Sequence, residues 1–135
     1  MTFKFERLDV WQLALDYIDA MYVLAKKLPS SENYNLKSQL TGAATSIALN
    51  IAEGSTGQSD AEQSRFLGMA IRSLVETIAC LRIIQRREYL ERTTILDDAD
   101  KQAQVLAKKL QAFRKALNPS GVREETALYL IDDEQ

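Results

Sequence analysis

The chain has 135 residues, of which 46% are hydrophobic and 27% charged, and its formal net charge of −2 is typical of one ordinary globular domain. It contains no histidine. This excludes serine–histidine and cysteine–histidine nucleophiles, most zinc sites and the Glu-x-x-His ligands of a four-helix di-iron centre. We therefore expect a protein that is not an enzyme and that uses no metal and no cofactor.

The spacing of apolar residues predicts four helices, of which the first two lie in the amino-terminal half. The first helix repeats apolar residues at alternating intervals of four and three, and it ends near Leu28 because Pro29 cannot continue a helix. The second helix is expected from about Leu36 to Ala52, with Gly54 as its C-terminal cap.

The third and fourth helices follow a short polar loop. A capping box that opens at Ser59 starts the third helix, which is expected to continue to about Arg87. The fourth begins near Thr93 or Thr94 and keeps an unbroken 3-4 alternation of apolar residues to Leu117, the pattern of a bundle seam.

Short connections make consecutive helices antiparallel neighbours, so residues 1–117 are predicted to form an all-α, up-down-up-down four-helix bundle. Residues 118–135 form a separate tail, in which the apolar residues 127–131 lie between acidic clusters. Three alternatives stay open for this tail: it docks on its own bundle, it docks on a neighbouring subunit, or it is disordered.

The third helix is more apolar than one helix of an isolated bundle requires, because a stripe of roughly 100° normally suffices. Four large apolar residues lie beside its main stripe: Phe66, Val75, Ile83 and Ile84. They indicate either a centrally buried helix with a wide apolar face or a second surface that contacts another protomer. The second interpretation makes these four residues candidates for an oligomer interface.

The second helix carries polar residues of an unusual kind. Ser46, Asn50 and Glu53 follow one another at helical spacing, where a plain solvent face would carry lysine, arginine and glutamate. We expect half-buried hydrogen-bonding groups. A symmetric turn around residues 56–57 further predicts Gln39 opposite Ser73 and Asn50 opposite Gln63.

The same reasoning extends this polar motif to two further contacts. The symmetric turn places Lys37 opposite Glu76. The connection between the first two helices places Glu53 near Trp11, whose indole N–H needs an acceptor if it is buried, and the Glu53 carboxylate is the expected one.

Positive charge gathers where the first and third helices end and the second begins. Phosphate binding is one interpretation of this cluster, but cations at helix C-termini are stabilised by the helix dipole in any case, and acidic residues lie at the same end. The balance favours a solvated surface over a nucleic-acid or partner contact. The basic residues concerned are Lys26, Lys27, Lys37, Arg82, Arg86 and Arg87.

The expected location is the cytoplasm. Cys80 is the only cysteine, so no internal disulfide is available, and charges interrupt every apolar run well before the roughly 18 residues that a membrane span needs. The amino terminus has charges where a signal peptide needs an apolar segment.

Residues spread over about 3–117 resemble a known family, the bacterial four-helix bundle proteins encoded within intervening sequences of large-subunit ribosomal RNA genes. The resemblance implies a four-helix protomer that assembles into a ring-like homo-oligomer, a pentamer. Relatives include the accessory variability determinants of diversity-generating retroelements, which bind nucleic acid and a reverse transcriptase through a basic surface. The resembling elements are Leu8 to Trp11, Leu28-Pro29, Gln39-Leu40, Ser46-Ile47, Asn50 to Gly54, Phe66-Leu67, Ala70, Ser73-Leu74 and Glu76.

The chain departs from this family where nucleic acid is concerned. Residues 55–59 contain no basic residue, although the family places one there, and Arg72 stands where relatives often have glycine. The net charge is also acidic. Two hypotheses follow: an oligomeric interaction scaffold whose partner is a protein such as a polymerase, or an RNA- or DNA-binding accessory protein.

Overall fold

The protein is all-α, as the sequence predicts. The computed structural model describes residues 2–90 and 94–117, and within them it has four α-helices and no strand. Short 3-10 helices precede α1 and α2, at Lys4–Arg7 and Ser30–Glu32. The α-helices are α1 (Asp9–Lys26), α2 (Leu36–Gly54), α3 (Asp60–Arg86) and α4 (Thr94–Leu117).

The helices follow one another around a single core. Each helix packs against the next along the chain, and α1 also packs against α4. Ion pairing of Arg82 with Asp100 at 2.9 Å joins α3 to α4 near one end, and Arg114 contacts Ser64 near the other. The end of α3 thus lies beside the start of α4, and the start of α3 beside the end of α4. The two helices are therefore antiparallel, which fits the predicted up-down arrangement.

Local sequence explains where α3 begins and ends. The Ser59 hydroxyl accepts a hydrogen bond from the Glu62 amide at 3.1 Å, as expected of the first half of a capping box. At the other end Glu88 has a φ of 59°, and the Tyr89 amide turns back to the Ile84 carbonyl at 3.3 Å. The chain therefore folds back over the end of α3 instead of continuing outward.

The contact between α2 and α3 corrects the register that the sequence predicts. Ser46, rather than Gln39, lies opposite Ser73, since their hydroxyl oxygens are 3.0 Å apart. Gln63 lies beside Gly54 and Ser55, not beside Asn50. The partner on α2 is shifted by about one to two helical turns, because Gln63 lies level with the last residue of α2, so that the residues of α3 before it extend past the end of α2.

A buried hydrogen bond crosses the core between helices that are not neighbours. The Tyr17 hydroxyl of α1 lies 2.8 Å from the Thr77 hydroxyl of α3, and Thr77 donates its own proton to the Leu74 carbonyl at 2.6 Å. Tyr17 must therefore be the donor to Thr77. Burial raises the pKa of Tyr17 to about 12 because the phenolate is deprived of water.

The two partners of this bond are expected to differ in importance. Thr77→Val leaves the buried Tyr17 hydroxyl without an acceptor and should cost about 2 kcal/mol of unfolding free energy. Tyr17→Phe leaves Thr77 bonded to Leu74 and should cost about 1 kcal/mol. Urea denaturation of both variants measures the difference. Equal costs would mean that the Tyr17 hydroxyl finds another acceptor.

Candidate functional site

The polar residues of α2 form a small network that reaches α3. The Asn50 amide nitrogen donates to the Ser46 carbonyl at 2.9 Å and lies 3.2 Å from its hydroxyl. The Ser73 hydroxyl completes the chain of contacts by donating to Ser46. All three residues are half-buried. The network joins two helices through short side chains, and it contains no group that titrates near neutral pH.

Gly54 lies in the same contact between α2 and α3, which we call the seam of these helices, and its lack of a side chain matters there. A Cβ atom at Gly54 would lie 2.9 Å from the Cβ of Phe66 and 3.4 Å from the Gln63 carbonyl oxygen. The absence of a side chain therefore lets α2 approach α3 closely. The predicted C-terminal cap is wrong by one position, because Gly54 ends the helix itself and Ser55 is the residue that follows.

Glu53 and Glu76 stand apart from this network. Glu53 is exposed, and within residues 2–90 and 94–117 no hydrogen bond joins it to Trp11. The Trp11 ring instead packs edge-on against Phe5, with 4.6 Å between ring centroids. The expected contact is therefore wrong, because Glu53 lies on the outer side of α2. Glu76 is also exposed and lies along a cleft nearer the other end of the seam.

That cleft, the Glu32 cleft, has a volume of about 450 Å³ and lies between α2 and α3. Its apolar wall includes Leu36, Ala79, Cys80 and Ile83, and its polar rim includes Gln39, Glu76, Glu32, Asn35 and Arg87. Burial, followed by the nearby Glu76 charge, raises the pKa of the Cys80 thiol. The thiol is therefore held in its unreactive, protonated form.

Glu32 is the one buried carboxylate of the described residues. Its oxygens accept hydrogen bonds from the Tyr89 hydroxyl at 2.6 Å and from the Asn35 amide at 3.1 Å, with the Leu36 amide at 3.4 Å. The bond from Tyr89 is the main cause of a pKa below the ordinary value for Glu32. The carboxylate ties the loop before α2 to the end of α3.

The basic residues expected at this end do lie there, but they differ in their surroundings. Arg82 pairs with Asp100, and the Arg87 guanidinium lies 5.6 Å from the Tyr89 ring centroid, close to Glu32. Lys26, Lys27 and Arg86 are exposed, while Lys37 is half-buried. Two of the six predicted cations are therefore engaged by acidic or aromatic neighbours within the protomer.

The four apolar candidates on α3 separate into buried and exposed residues. Ile84 is fully buried at 0% exposure, so its prediction as an interface residue is wrong: it belongs to the core of the protomer. Phe66 is half-buried beneath the Arg65 guanidinium, which lies 4.7 Å from its ring centroid. Val75 and Ile83 remain exposed at 39% and 48%.

Sequence reasoning missed the Glu32 and Tyr89 contact. Both residues lie in the connections between helices, where helical periodicity carries no information about burial. The proline and the polar run around Glu32 indicated only a loop. An acidic residue four positions before the first residue of α2 was the available signal, since carboxylates near a helix N-terminus are stabilised by the helix dipole.

Fold and site together define an all-α protein of four helices, whose polar motif joins helices and whose cleft holds a fully bonded carboxylate. A family model described as 23S rRNA-intervening sequence protein matches residues 6–112. The chain belongs to this family, which confirms the resemblance. A comparison with curated protein sequences gives no match.

Two further observations concern only residues 2–90 and 94–117. No group of histidine, cysteine, aspartate and glutamate side chains there is arranged to hold a metal ion. No helix there is both long enough and apolar enough to cross a membrane.

Two glycine substitutions in α2 should have opposite effects. Gly54→Ala forces the helices apart at Phe66 and should cost about 1 to 3 kcal/mol of stability. Within a single protomer, Gly42→Ala meets no atom within 4 Å and should stabilise the protomer's α2 by up to about 1 kcal/mol through helix propensity. Urea denaturation at one protein concentration compares them, and a neutral Gly54→Ala would show that the seam relaxes freely.

Proposed function

We propose that the protein is a non-enzymatic scaffold that works as a homo-oligomer, a ring of five, in the cytoplasm. The observation that carries the proposal is an uncharged outer surface on α2, the α2 face, made of exposed Ser38, Gly42 and Leu49 with half-buried Thr41 and Thr45. No charged residue lies between Lys37 and Glu53, although a solvent-facing helix normally carries charges at its exposed positions.

The polar atoms of the α2 face need little water. Thr41 donates its hydroxyl proton to the Lys37 carbonyl at 2.8 Å, and Thr45 donates to the Thr41 carbonyl at 2.9 Å. Since these hydroxyls are bonded within the helix, covering them with another helix costs little desolvation. Gly42 allows close approach, and Leu49, 57% exposed, supplies apolar area to bury.

A ring needs two different patches on each subunit. Two exposed side chains of α3, Ile83 beside the Glu32 cleft and Val75, are separate from the α2 face and supply apolar area for the second patch. The family resemblance supports the same assembly. The partner beyond the protein itself is proposed to be another protein, such as a polymerase.

The ionisable groups of the Glu32 cleft support the non-enzymatic part of the proposal. General acid–base chemistry near neutral pH needs a group whose pKa lies close to 7. The pKa of Glu32 is lowered and that of Cys80 is raised, so both groups are shifted away from neutrality. Histidine is absent from the sequence.

The assembly is expected to depend on Leu49. Light scattering on the parent should give a particle near 76 kDa, five times the 15.2 kDa chain mass. Leu49→Glu places a charge in the interface and should give a smaller particle with unchanged helical content, because Leu49 makes little contribution to the protomer core.

Val105→Glu is the matched control, since Val105 is 48% exposed on α4 and lies away from the α2 face. It should leave the particle mass unchanged. Ile83→Asp tests the second patch in the same way. A parent that is monomeric at micromolar concentration would contradict the assembly and leave the protomer fold untouched.

A second candidate function, an RNA- or DNA-binding accessory protein, rests on Lys26, Lys27 and Arg86. All three are exposed at the end of the bundle where α1 and α3 end. Against this, Glu32, Asp100 and Glu88 lie at the same end, and the net charge is −2. Phosphate binding requires a local excess of positive charge.

The two functions differ in their dependence on salt. For the scaffold, a labelled structured RNA should show no specific binding at about 150 mM salt and only weak binding at low salt. The variant Lys26→Glu with Lys27→Glu should then change nothing. Binding at about micromolar concentration that weakens steeply with salt and is lost in that variant would favour the accessory-protein function.

A further inference from the structure

An apolar groove runs along the seam between α1 and α4, on the side of the bundle opposite the seam between α2 and α3. It consists of two adjoining cavities of about 530 and 220 Å³, which share Lys101 and Gln102. We call it the α1/α4 groove. Its apolar lining is Leu13, Ala20, Val23, Ile95, Ala99 and Val105.

Three branched apolar side chains are exposed in this one groove: Val23 at 53%, Val105 at 48% and Ile95 at 37%. Scattered exposed apolar residues are normal on a protein surface, but a contiguous apolar groove usually marks a contact. We therefore expect an apolar segment of this chain or of another molecule to cover the α1/α4 groove.

We propose that the occupant is residues 127–131 of the same chain, Ala-Leu-Tyr-Leu-Ile. These residues lie outside the described part of the structure, and their sequence is an apolar segment between acidic clusters. The helix that precedes them, α4, ends at Leu117 and itself forms one wall of the groove. If the chain turned back after Leu117, the residues that follow would run along this groove.

Length supports this occupant. Val105 and Ile95 are ten residues apart on α4, which corresponds to about 15 Å of groove. Five extended residues span about 16 Å, so residues 127–131 fit it from end to end. The return from Leu117 to the level of Lys109 is about 12 Å, and residues 118–124 reach up to about 23 Å. Asn118, Pro119 and Gly121 are residue types that favour turns, as this path of the chain would require.

Charge supports the same direction of the chain. Lys109 lies four residues after Val105 and Lys27 four residues after Val23, so each extends one edge of the groove beyond its apolar part. Glu124 and Glu125 would lie near Lys109 and its neighbour Lys108. The acidic residues 132–134 would lie near Lys27 and Lys26.

The groove itself also carries acidic residues, Asp16 and Asp98, beside Lys101. A segment with charges along its middle would meet repulsion there. Residues 127–131 carry no charge, so only apolar residues of the segment would lie beside Asp16 and Asp98. The acidic residues on either side of the segment would lie at the two ends of the groove, where the lysines are.

Limited chymotrypsin digestion of the full chain, read by mass spectrometry, tests the proposal. Cleavage within residues 127–131 should be slower than in a synthetic peptide of residues 118–135 by about tenfold or more, since protection follows the undocked fraction. Val105→Glu should remove most of this protection. Met69→Glu, at an exposed position on α3 that belongs to neither proposed patch, should not.

A parent cleaved as fast as the peptide would overturn the proposal, and so would equal protection in the Val105→Glu chain. Unchanged particle mass in that chain keeps the result separate from the assembly, which depends on Leu49. The pair Val105→Cys and Leu128→Cys distinguishes the two possible grooves. A disulfide within one chain supports the proposal, and disulfide-linked dimers on a denaturing gel would assign the segment to a neighbour's groove and overturn it.

Discussion

The close approach of α2 to α3 at Gly54 is the constraint on which the remaining arrangement depends. With no Cβ on Gly54, the two backbones meet beside Gln63 and Phe66, and this contact fixes the register of both helices. The Ser46 and Ser73 hydroxyls then come within hydrogen-bond distance, and Leu36 reaches the level of Cys80 and Ile83. The Glu32 cleft at one end of the seam is thus a consequence of Gly54 at the other end. The reason is that helices are rigid, so the register set at one end holds along their whole length.

Much of the fold is contained in local sequence patterns. The four helices, their order and most of their ends follow from apolar spacing, from Pro29 and from the Ser59 cap, since each of these acts within one or two turns. The register of α2 against α3 could not be predicted from such local patterns. It depends on how the 55–59 loop offsets the two helices along their axes, and a symmetric turn is only the simplest assumption. Ile84 was misassigned for a related reason, because a wide apolar face does not reveal which of its residues the protomer itself buries.

The candidate site was only partly predictable. Ser46 and Asn50 were recognisable because poor helix formers in the middle of a helix indicate that their side chains make specific hydrogen bonds. Glu53 looked equivalent by spacing, but it follows the outer edge of the same stripe and faces water. Glu32 and Tyr89 come together across 57 positions of sequence, and nothing local connects them. The two sides of the bundle also differ: the seam of α2 and α3 is joined by polar contacts, whereas the seam of α1 and α4 leaves apolar surface open.

Cys80 gives this difference a practical consequence. Its thiol is 6% exposed at the wall of the Glu32 cleft, and burial keeps it protonated. Burial and the raised pKa slow the reaction of this thiol with alkylating reagents, and separation of α2 from α3 should accelerate it. Because Cys80 is the single cysteine of the chain, its labelling rate follows the separation of α2 from α3 without any engineered cysteine.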